Sequence, residues 1–228
     1  MRSHTHSKMS KIVLYGIIMS PPVRACLLTL KALDLPFEYK EVKLAEGENR
    51  TPEYLKKNPQ GTVPLLDDNG TLVWDSHAIC MYLCDKYAKT DALYPKELVK
   101  RAGVNQRLFF DASVIYKALW NVSSVFWMKG ITEVSKEKTD NVHEALRLTE
   151  VLLDKPYIAG DSLTIADFCC GATVSSLPAV FDIDPQRYPK ITAWLLRLGE
   201  LPYYEEANNV GAKQYATFMR SQWTKVEL

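Results

Sequence analysis

The chain has 228 residues, of which 47% are hydrophobic and 24% are charged, and its 28 lysines and arginines against 27 acidic residues give a net charge of +1. This length allows one large domain or two modest domains, with a sizeable core in either case. The balanced charge argues against a nucleic-acid partner, which usually needs a clustered basic face, and no apolar stretch approaches the roughly 18 residues of a membrane span.

Strand and helix patterns alternate in the first part of the chain and give way to helical patterns in the second. Up to residue 88 the pattern predicts a strand at 12–15, a helix at 22–33, a strand at 37–42, a helix at 52–57, strands at 64–67 and 71–74, and a helix at 76–87. A polar linker at 89–97 leads to helices at 98–129, 135–153, from about 162, and at 188–198, 202–208 and 210–222. This order predicts an α/β domain followed by an all-helical domain.

The start of the chain and its cysteines predict a reduced, cytoplasmic protein. Residues 1–8 lack the apolar core of a secretory signal, and the second methionine at Met9 suggests that residues 1–8 are an expression scar. The five cysteines form no CxxC pair, as expected where thiols stay reduced. Neither the cysteines nor the four histidines show metal-ligand spacing, so no metal is expected; the cysteines are Cys26, Cys80, Cys84, Cys169 and Cys170.

A hydroxyl residue stands between the first predicted strand and the helix that follows it. Ser20 precedes Pro21 and Pro22, and proline is well tolerated in the first turn of a helix. Unpaired backbone N–H groups and the helix dipole favour an anion at this position. Ser20 could therefore donate a hydrogen bond to a bound thiolate, or it could serve only as the helix cap.

Two further blocks carry signals of a binding site. In the segment 58–66, Val63-Pro64 precedes a strand, where a cis peptide in a tight turn is one solution and an ordinary trans proline is the other. Asp75 and Ser76 stand where a strand runs into a helix, and they could either bind a ligand or merely cap that helix. Farther along, Thr164 and Asp167 have the spacing of a capping box, which is a structural feature.

These blocks, Ser-Pro-Pro-Val-Arg, Asn-Pro-Gln-x-Thr-Val-Pro and Asp-Ser-His-Ala-Ile, resemble the cytosolic glutathione transferases, most of all the insect epsilon class and next the delta class. The resemblance runs from about Lys11 to about residue 220. It implies a thioredoxin-like glutathione-binding domain over 9–88, a linker at 89–97, and an all-helical domain over 98–228 that lines the electrophile site. It also implies a cytoplasmic homodimer that uses glutathione as co-substrate in detoxification, xenobiotic metabolism and insecticide resistance.

The resemblance assigns roles to individual residues. Ser20 would be the catalytic donor to the glutathione thiolate, Asp75 would bind the γ-glutamyl amino group, and Ser76 the γ-glutamyl carboxylate. His77 either contacts an anion weakly or is a surface residue. The expected glutathione-binding residues are Asn49, Gly61, Thr62, Val63, Pro64, Asp75, Ser76 and His77. The expected electrophile-site residues are Met19, Tyr116, Leu119, Trp120, Ser123 and Trp127, although an aromatic stripe at this spacing is also typical of a helix core.

The chain departs from the family at the expected site for the glycyl end of glutathione. Relatives carry a histidine where this chain has Gly61, and often another where it has Asn49. Only Asn49, Lys43 or Arg50 could then bind the glycyl carboxylate. A Gly61→His change should therefore improve glutathione binding, unless Gly61 is required for a positive φ angle.

Two other functions remain open at this point. The missing histidine favours a non-catalytic carrier of hydrophobic ligands on the same fold. A thiol–disulfide oxidoreductase would need a reactive cysteine at the helix mouth, and Cys26 lies about a turn and a half inside the helix. For the transferase itself, the sequence leaves conjugation, dehydrochlorination and peroxide reduction as possible reactions.

Overall fold

The computed structural model describes residues 11–228, so the expression scar expected at residues 1–8 lies outside the described residues. The first part of the fold contains the strands β1 (Ile12–Gly16), β2 (Phe37–Glu41), β3 (Leu65–Asp68) and β4 (Thr71–Trp74). It also contains the helices α1 (Pro21–Ala32), α2 (Pro52–Lys57) and α3 (Ser76–Tyr87), with short 3-10 turns at Leu44–Glu46 and Glu48–Arg50. The predicted alternation of strands and helices is confirmed.

The four strands form one mixed sheet in the order β2-β1-β3-β4. Strand β1 pairs in parallel with β2, with Gly16 opposite Glu41, and antiparallel with β3, with Tyr15 opposite Leu65. Strand β4 runs antiparallel to β3, with Trp74 opposite Leu65. The carboxyl ends of β1, β2 and β4 and the start of β3 therefore lie at the same edge of the sheet.

The second part is helical, as predicted. Its helices are α4 (Leu98–Phe110), α5 (Tyr116–Lys129), α6 (Lys136–Leu152), α7 (Ile165–Val174), α8 (Pro189–Gly199) and α9 (Val210–Gln222). A π-helical turn at Asp111–Ile115 joins α4 to α5, so the helix predicted at 98–129 is one stretch with a π turn inside it. A second π turn at Glu205–Asn209 leads directly into α9, which merges the two helices predicted at 202–208 and 210–222.

Two very short strands, which the sequence pattern did not indicate, occur within this otherwise helical part. Residues Glu133–Val134 (β5) pair in parallel with Lys225–Val226 (β6). Each strand has only two residues, which is too short to show the alternation by which strands are recognised in a sequence. The pair joins the tail that follows α9 to the loop between α5 and α6.

The predicted capping box at the start of α7 is present and does more than cap the helix. Asp167 is fully buried, and its carboxylate accepts hydrogen bonds from the Thr164 backbone N–H at 2.9 Å, the Ile158 backbone N–H at 2.8 Å and the Trp194 indole at 2.9 Å. One side chain thus links α7 to α8 and to the preceding loop. It satisfies donors that would otherwise be buried without partners.

A buried arginine joins the two parts of the molecule. Arg24 in α1 is fully buried and donates hydrogen bonds to the Asn208 side chain at 2.9 Å, the Ala172 carbonyl at 3.1 Å and the Ser176 hydroxyl. Burial lowers the pKa of Arg24 to about 10, which still leaves it charged at neutral pH. Helix α1, which begins directly after Ser20, is therefore fixed to the helical domain.

Candidate active site

The sheet topology brings the predicted site residues of the first domain to one edge. Ser20 follows β1, the segment 43–50 follows β2, the segment 61–64 precedes β3, and Asp75 follows β4. Since these strand ends lie at the same edge, segments that are up to about 55 residues apart in sequence become neighbours. The Sγ atom of Cys26 in α1 lies 3.9 Å from the carbonyl oxygen of Ser76, which shows how closely α1 and α3 pack there.

The Ser20 hydroxyl is available for a ligand. Ser20 has the extended backbone of a helix cap, with φ of −76° and ψ of 120°, but its side chain makes no capping hydrogen bond. Among residues 11–228 no hydrogen-bond partner of this hydroxyl is found, while the Ser20 backbone N–H donates to the Ile17 carbonyl at 2.9 Å. Pro21 and Pro22 have no N–H, so they leave few backbone donors in the first turn. The serine hydroxyl is thus a free donor at the start of α1: Ser20 occupies the N-cap position, but its side chain does not cap the helix.

The loop before β3 offers an unpaired backbone. The Val63–Pro64 peptide is cis, which confirms the predicted isomer. The preceding carbonyl of Thr62 is held by the Tyr54 hydroxyl and the Asn58 amide, each at 2.8 Å. Within the described part of the chain, the backbone N–H and C=O of Val63 have no hydrogen-bond partner. An extended peptide could therefore pair with Val63 in the way that a neighbouring strand would.

Asp75 caps α3 with its Oδ1 atom, while its Oδ2 atom takes no part in the capping hydrogen bonds. Its Oδ1 accepts hydrogen bonds from the backbone N–H groups of His77 at 2.9 Å and Ala78 at 3.2 Å. The side chain is 60% exposed, and its φ of 70° is uncommon for any residue except glycine; such conformations cluster at functional sites. The hydrogen bond from the His77 side chain lowers the pKa of Asp75, which stays ionised at neutral pH. Ser76, the next residue, is buried at the start of α3.

His77 forms a bridge between the two domains. Its Nδ1 lies 3.2 Å from Asp75 Oδ1, and its Nε2 lies 3.0 Å from Oδ2 of Asp111 in the π turn. Burial alone would lower the pKa of His77, but the hydrogen bonds to Asp111 and Asp75 outweigh it and raise the pKa to about 10. Both ring nitrogens of the imidazolium are thus engaged by carboxylates, and the side chain is only 14% exposed. This corrects both alternatives for His77, which is neither a surface residue nor a free anion contact.

Sequence reasoning missed Asp111, the partner of His77 in the helical domain. Its side chain is almost fully buried, and its Oδ1 atom has no hydrogen-bond partner within residues 11–228. A carboxylate inside an apolar helical pattern is a signal in itself, because buried acids are nearly always paired. The pattern does not reveal the partner, which lies 34 residues earlier in the chain.

The loop around Gly61 is shaped by that glycine. Gly61 has a φ of 62°, and a Cβ atom placed there would lie 2.7 Å from Nη1 of Arg50 and 2.9 Å from the Asn49 carbonyl oxygen. The Asn49 side-chain amide donates to the Gly61 carbonyl at 2.6 Å. A histidine at this position would be strained and would collide with Arg50. The positive φ of Gly61 is the condition under which no gain is expected from Gly61→His, so the effect of this change on glutathione binding stays a prediction.

The predicted electrophile stripe divides into two faces of α5. Leu119 and Ser123 are 2% and 3% exposed, and the Ser123 hydroxyl donates to the Leu119 carbonyl at 3.0 Å. These two residues belong to the helical core, which corrects their placement in the electrophile wall. By contrast, Trp120 and Trp127 are 44% and 48% exposed. Tyr116 stacks on Trp120 with ring centroids 6.4 Å apart.

The cysteines do not provide a reactive thiol at the helix mouth. All five are unpaired and buried. Cys26, the cysteine closest to Ser20 in the sequence, is fully buried, and burial raises the pKa of its thiol. A buried, protonated thiol is a poor nucleophile, so the oxidoreductase alternative lacks the feature that it requires.

Residues 11–228 contain no group of three or more histidine, cysteine or acidic side chains that could hold a metal ion. The same part of the chain contains no helix that is both long and apolar enough to cross a membrane.

Comparisons with known proteins agree with this geometry. The family model described as "Glutathione S-transferase, N-terminal domain" matches residues 14–91, and "Glutathione S-transferase, C-terminal domain" matches residues 120–202. Glutathione S-transferase 1 of Manduca sexta is 41% identical over 204 residues, which are 88% of this chain and 93% of that protein.

Solved structures give the same result. An epsilon-class glutathione S-transferase from the housefly, Musca domestica, is 51% identical, with a TM-score of 0.91 over 92% of this chain and 98% of that one. A glutathione transferase homolog from Drosophila mojavensis, solved with bound glutathione, is 47% identical, with a TM-score of 0.93 over 96% of this chain and all of that one. These similarities confirm the resemblance to insect enzymes of the epsilon class, and the chain belongs to the glutathione S-transferase family.

Proposed function

We propose that this protein transfers glutathione to hydrophobic electrophiles and that Ser20 stabilises the reacting thiolate. The observation that carries the proposal is the unpaired Ser20 hydroxyl at the start of α1, at the same sheet edge as the unpaired backbone of Val63. Pairing with Val63 would hold the cysteinyl part of glutathione, and the hydroxyl would donate to its sulfur. The thiolate then attacks the electrophilic carbon, a C–S bond forms, and the leaving group departs with the bonding electron pair.

The energy required matches what Ser20 can supply. A free thiol has a pKa near 8.5, and lowering it by about two units takes roughly 2.7 kcal/mol of preferential thiolate stabilisation. A hydrogen bond to a charged group contributes about 1.5–3 kcal/mol, and the helix N-terminus adds about 0.3–1 kcal/mol. Ser20 acts as a donor and not as a nucleophile, so no general base is needed beside it.

The γ-glutamyl end of glutathione carries an ammonium and a carboxylate, which suit Asp75 and Ser76. The ionised Asp75 side chain is 60% exposed beside the site and can take the ammonium group. The Ser76 hydroxyl lies at the start of α3, where the helix dipole favours the carboxylate. The positive charge of His77 keeps Asp75 ionised and in place.

The half-exposed aromatic face of α5 supports bulky apolar electrophiles as the second substrate. Trp120 and Trp127 are about half exposed, Tyr116 stacks on Trp120, and Met19 stands beside Ser20 in the sequence. Pocket walls made of such side chains bind apolar molecules. The same thiolate could also eliminate HCl from a halogenated compound or reduce an organic hydroperoxide. Roles in detoxification, xenobiotic metabolism and insecticide resistance would follow from such substrates.

A homodimer in the cytoplasm is part of the proposal. Leu98, Val99 and Phe109 on α4 are 80%, 79% and 71% exposed. Three large apolar side chains this exposed on one helix are compatible with burial against a second subunit, as the dimer that the family resemblance implies would require. Five buried thiols without disulfides are compatible with a reducing compartment.

The test is turnover with glutathione against a panel of electrophiles, together with direct binding of glutathione by calorimetry. The panel should contain chlorodinitrobenzene, a chlorinated alkane and an organic hydroperoxide. The proposal predicts saturable glutathione binding and turnover that depends on Ser20. Glutathione binding without turnover on any member of the panel would instead support the carrier function, and neither binding nor turnover would reject both.

A further inference from the structure

We propose that Arg50 binds the glycyl carboxylate of glutathione and that Gly61 serves this role by leaving space for the Arg50 guanidinium. The inference rests on the proposed function, because it assigns the residue that holds one end of the co-substrate. It also accounts for the chain's departure from its family at positions 49 and 61.

The guanidinium occupies the space that a side chain at position 61 would need. A Cβ atom on Gly61 would lie 2.7 Å from Nη1 of Arg50, which is too close for real atoms, and 3.2 Å from its Cζ, which is a tight contact, so the guanidinium would have to shift. Nη1 also donates a hydrogen bond to the Gln60 carbonyl at 3.2 Å, which fixes one arm of the guanidinium against the loop. Gly61 has a φ of 62°, in the region that favours glycine. The Arg50 guanidinium therefore packs directly on Gly61. Any side chain at position 61 would displace it.

Arg50 keeps donors that a carboxylate can use. A guanidinium carries five N–H groups in a planar fork that matches a carboxylate with two parallel hydrogen bonds. In the described part of the chain, Nη1 makes the one hydrogen bond to Gln60, and Nε and Nη2 make none. Arg50 is exposed, so a ligand arriving from solvent can reach these donors.

The two other candidates for this role are already engaged. The Asn49 amide donates to the Gly61 carbonyl at 2.6 Å, which makes it part of the support for the loop. The Lys43 ammonium pairs with Glu46 at 3.3 Å, and its backbone N–H is bound to Glu48 at 2.8 Å. Lys43 would therefore have to give up an acidic partner to bind a carboxylate. Arg50 is the cation of this loop whose side chain has no acidic partner within residues 11–228.

The position of Arg50 relative to Val63 suits the glycyl end. Glutathione has a carboxylate at each end, and Asp75 with Ser76 accounts for the γ-glutamyl end on the α3 side of the site. Pairing with the free backbone of Val63 leaves the glycyl carboxylate on the side of Gly61, two residues earlier. Two residues span at most about 7 Å, which lies within reach of an arginine packed on Gly61.

Steady-state kinetics with two forms of the co-substrate test this assignment. Glutathione has a charged glycyl carboxylate, and glutathione glycyl monoethyl ester has the same groups with that charge removed. For the wild-type protein, the KM for glutathione should lie about tenfold below the KM for the ester, since a hydrogen bond between charged groups is worth at least that factor. Arg50→Met should raise the KM for glutathione about tenfold, leave the KM for the ester nearly unchanged, and change kcat little.

Matched variants separate the contact from the structure of the loop. Lys43→Met removes a neighbouring cation and should leave both KM values within about twofold. Gly61→Ala should behave like Arg50→Met towards glutathione, because its methyl group displaces the guanidinium; a thermal melt of each variant controls for unfolding. Arg50→Lys should lie between the wild type and Arg50→Met, because an ammonium lacks the planar fork.

The result that overturns the inference is a KM ratio between ester and glutathione that is the same in wild type and Arg50→Met. A loss caused by Lys43→Met alone would also overturn it, by assigning the carboxylate to Lys43. Both results require a wild-type protein that turns over glutathione, so they leave the proposed function intact. Absence of glutathione binding and turnover in the wild type would reject the proposed function itself and this inference with it.

Discussion

Replacing His77 with glutamine should destabilise the folded protein by about 3 kcal/mol at neutral pH. The change leaves the Asp111 carboxylate, only 5% exposed, without its cation. Breaking a buried ion pair by removing one partner costs about 3–5 kcal/mol. The rise of the His77 pKa from an ordinary 6.5 to about 10 corresponds to about 4–5 kcal/mol, at roughly 1.4 kcal/mol per pH unit. The lower end of this range is expected, because water screens the contact with Asp75, which is 60% exposed.

The same bridge makes stability depend on pH in a defined direction. The pKa of His77 is about 10 in the folded state and near 6.5 in the unfolded chain, so folding increases the proton affinity of the His77 imidazole. The stabilisation is fully present below about pH 6.5, decreases as the pH rises, and is lost above about pH 10. His77→Gln lacks this contribution at every pH. The difference between wild type and variant should therefore shrink as the pH rises from about 7 to about 10.

Urea unfolding at about pH 7, 8.5 and 10 measures this difference, and His143→Gln is the matched control. His143 lies near Tyr188, and partial burial lowers its pKa, so it is neutral across this range. Its replacement should give a difference that does not change with pH. The reasoning would be refuted if His77→Gln unfolded within about 0.5 kcal/mol of the wild type at pH 7, or if its difference stayed constant to pH 10.

Three other predictions follow from burial and hydrogen bonding. Asp167→Ala should cost about 3–5 kcal/mol in unfolding free energy, because four donors lose their acceptor: the backbone N–H groups of Ile158 and Thr164, the Thr164 hydroxyl and the Trp194 indole. Thr164→Ala should cost only the roughly 1 kcal/mol of a helix cap. Trp120→Ala should raise the KM for an aromatic electrophile several-fold and leave the melting temperature nearly unchanged. By contrast, Leu119→Ala should lower the free energy of unfolding by about 2–5 kcal/mol, because it opens a cavity in the core. Cys26→Ala should keep wild-type conjugation turnover, and a loss above about tenfold in a folded variant would revive a thiol mechanism.

The order of elements could be predicted because each strand and helix of the first domain carries a complete local signal. Strand β1 is a continuous apolar run, and α1 begins at a double proline. The candidate site residues Ser20 and Asp75 could be proposed for the same reason, since each follows a strand and precedes a helix. Their meeting at one sheet edge follows from strand order, which only the fold resemblance supplied before the structure was known.

Contacts between distant side chains could not be predicted in this way. The His77–Asp111 bridge joins residues 34 positions apart, and the Arg50 guanidinium on Gly61 depends on a loop conformation with no periodic pattern. Along α5 the spacing of apolar residues predicted a stripe but not the direction in which it faces. Leu119 and Trp120 are consecutive residues, yet tertiary packing buries the first and leaves the second half exposed.

Titration of the glutathione thiol in the complex tests the role of Ser20 most directly. Ultraviolet absorbance of the thiolate, measured against pH at saturating glutathione, gives the pKa of the bound sulfur. The wild-type protein should hold it about two units below the free value of about 8.5, and Ser20→Ala should bring it back near the free value with about 10²- to 10³-fold lower turnover. A bound thiol pKa that is the same in both proteins would show that Ser20 does not stabilise the thiolate, and would contradict the mechanism.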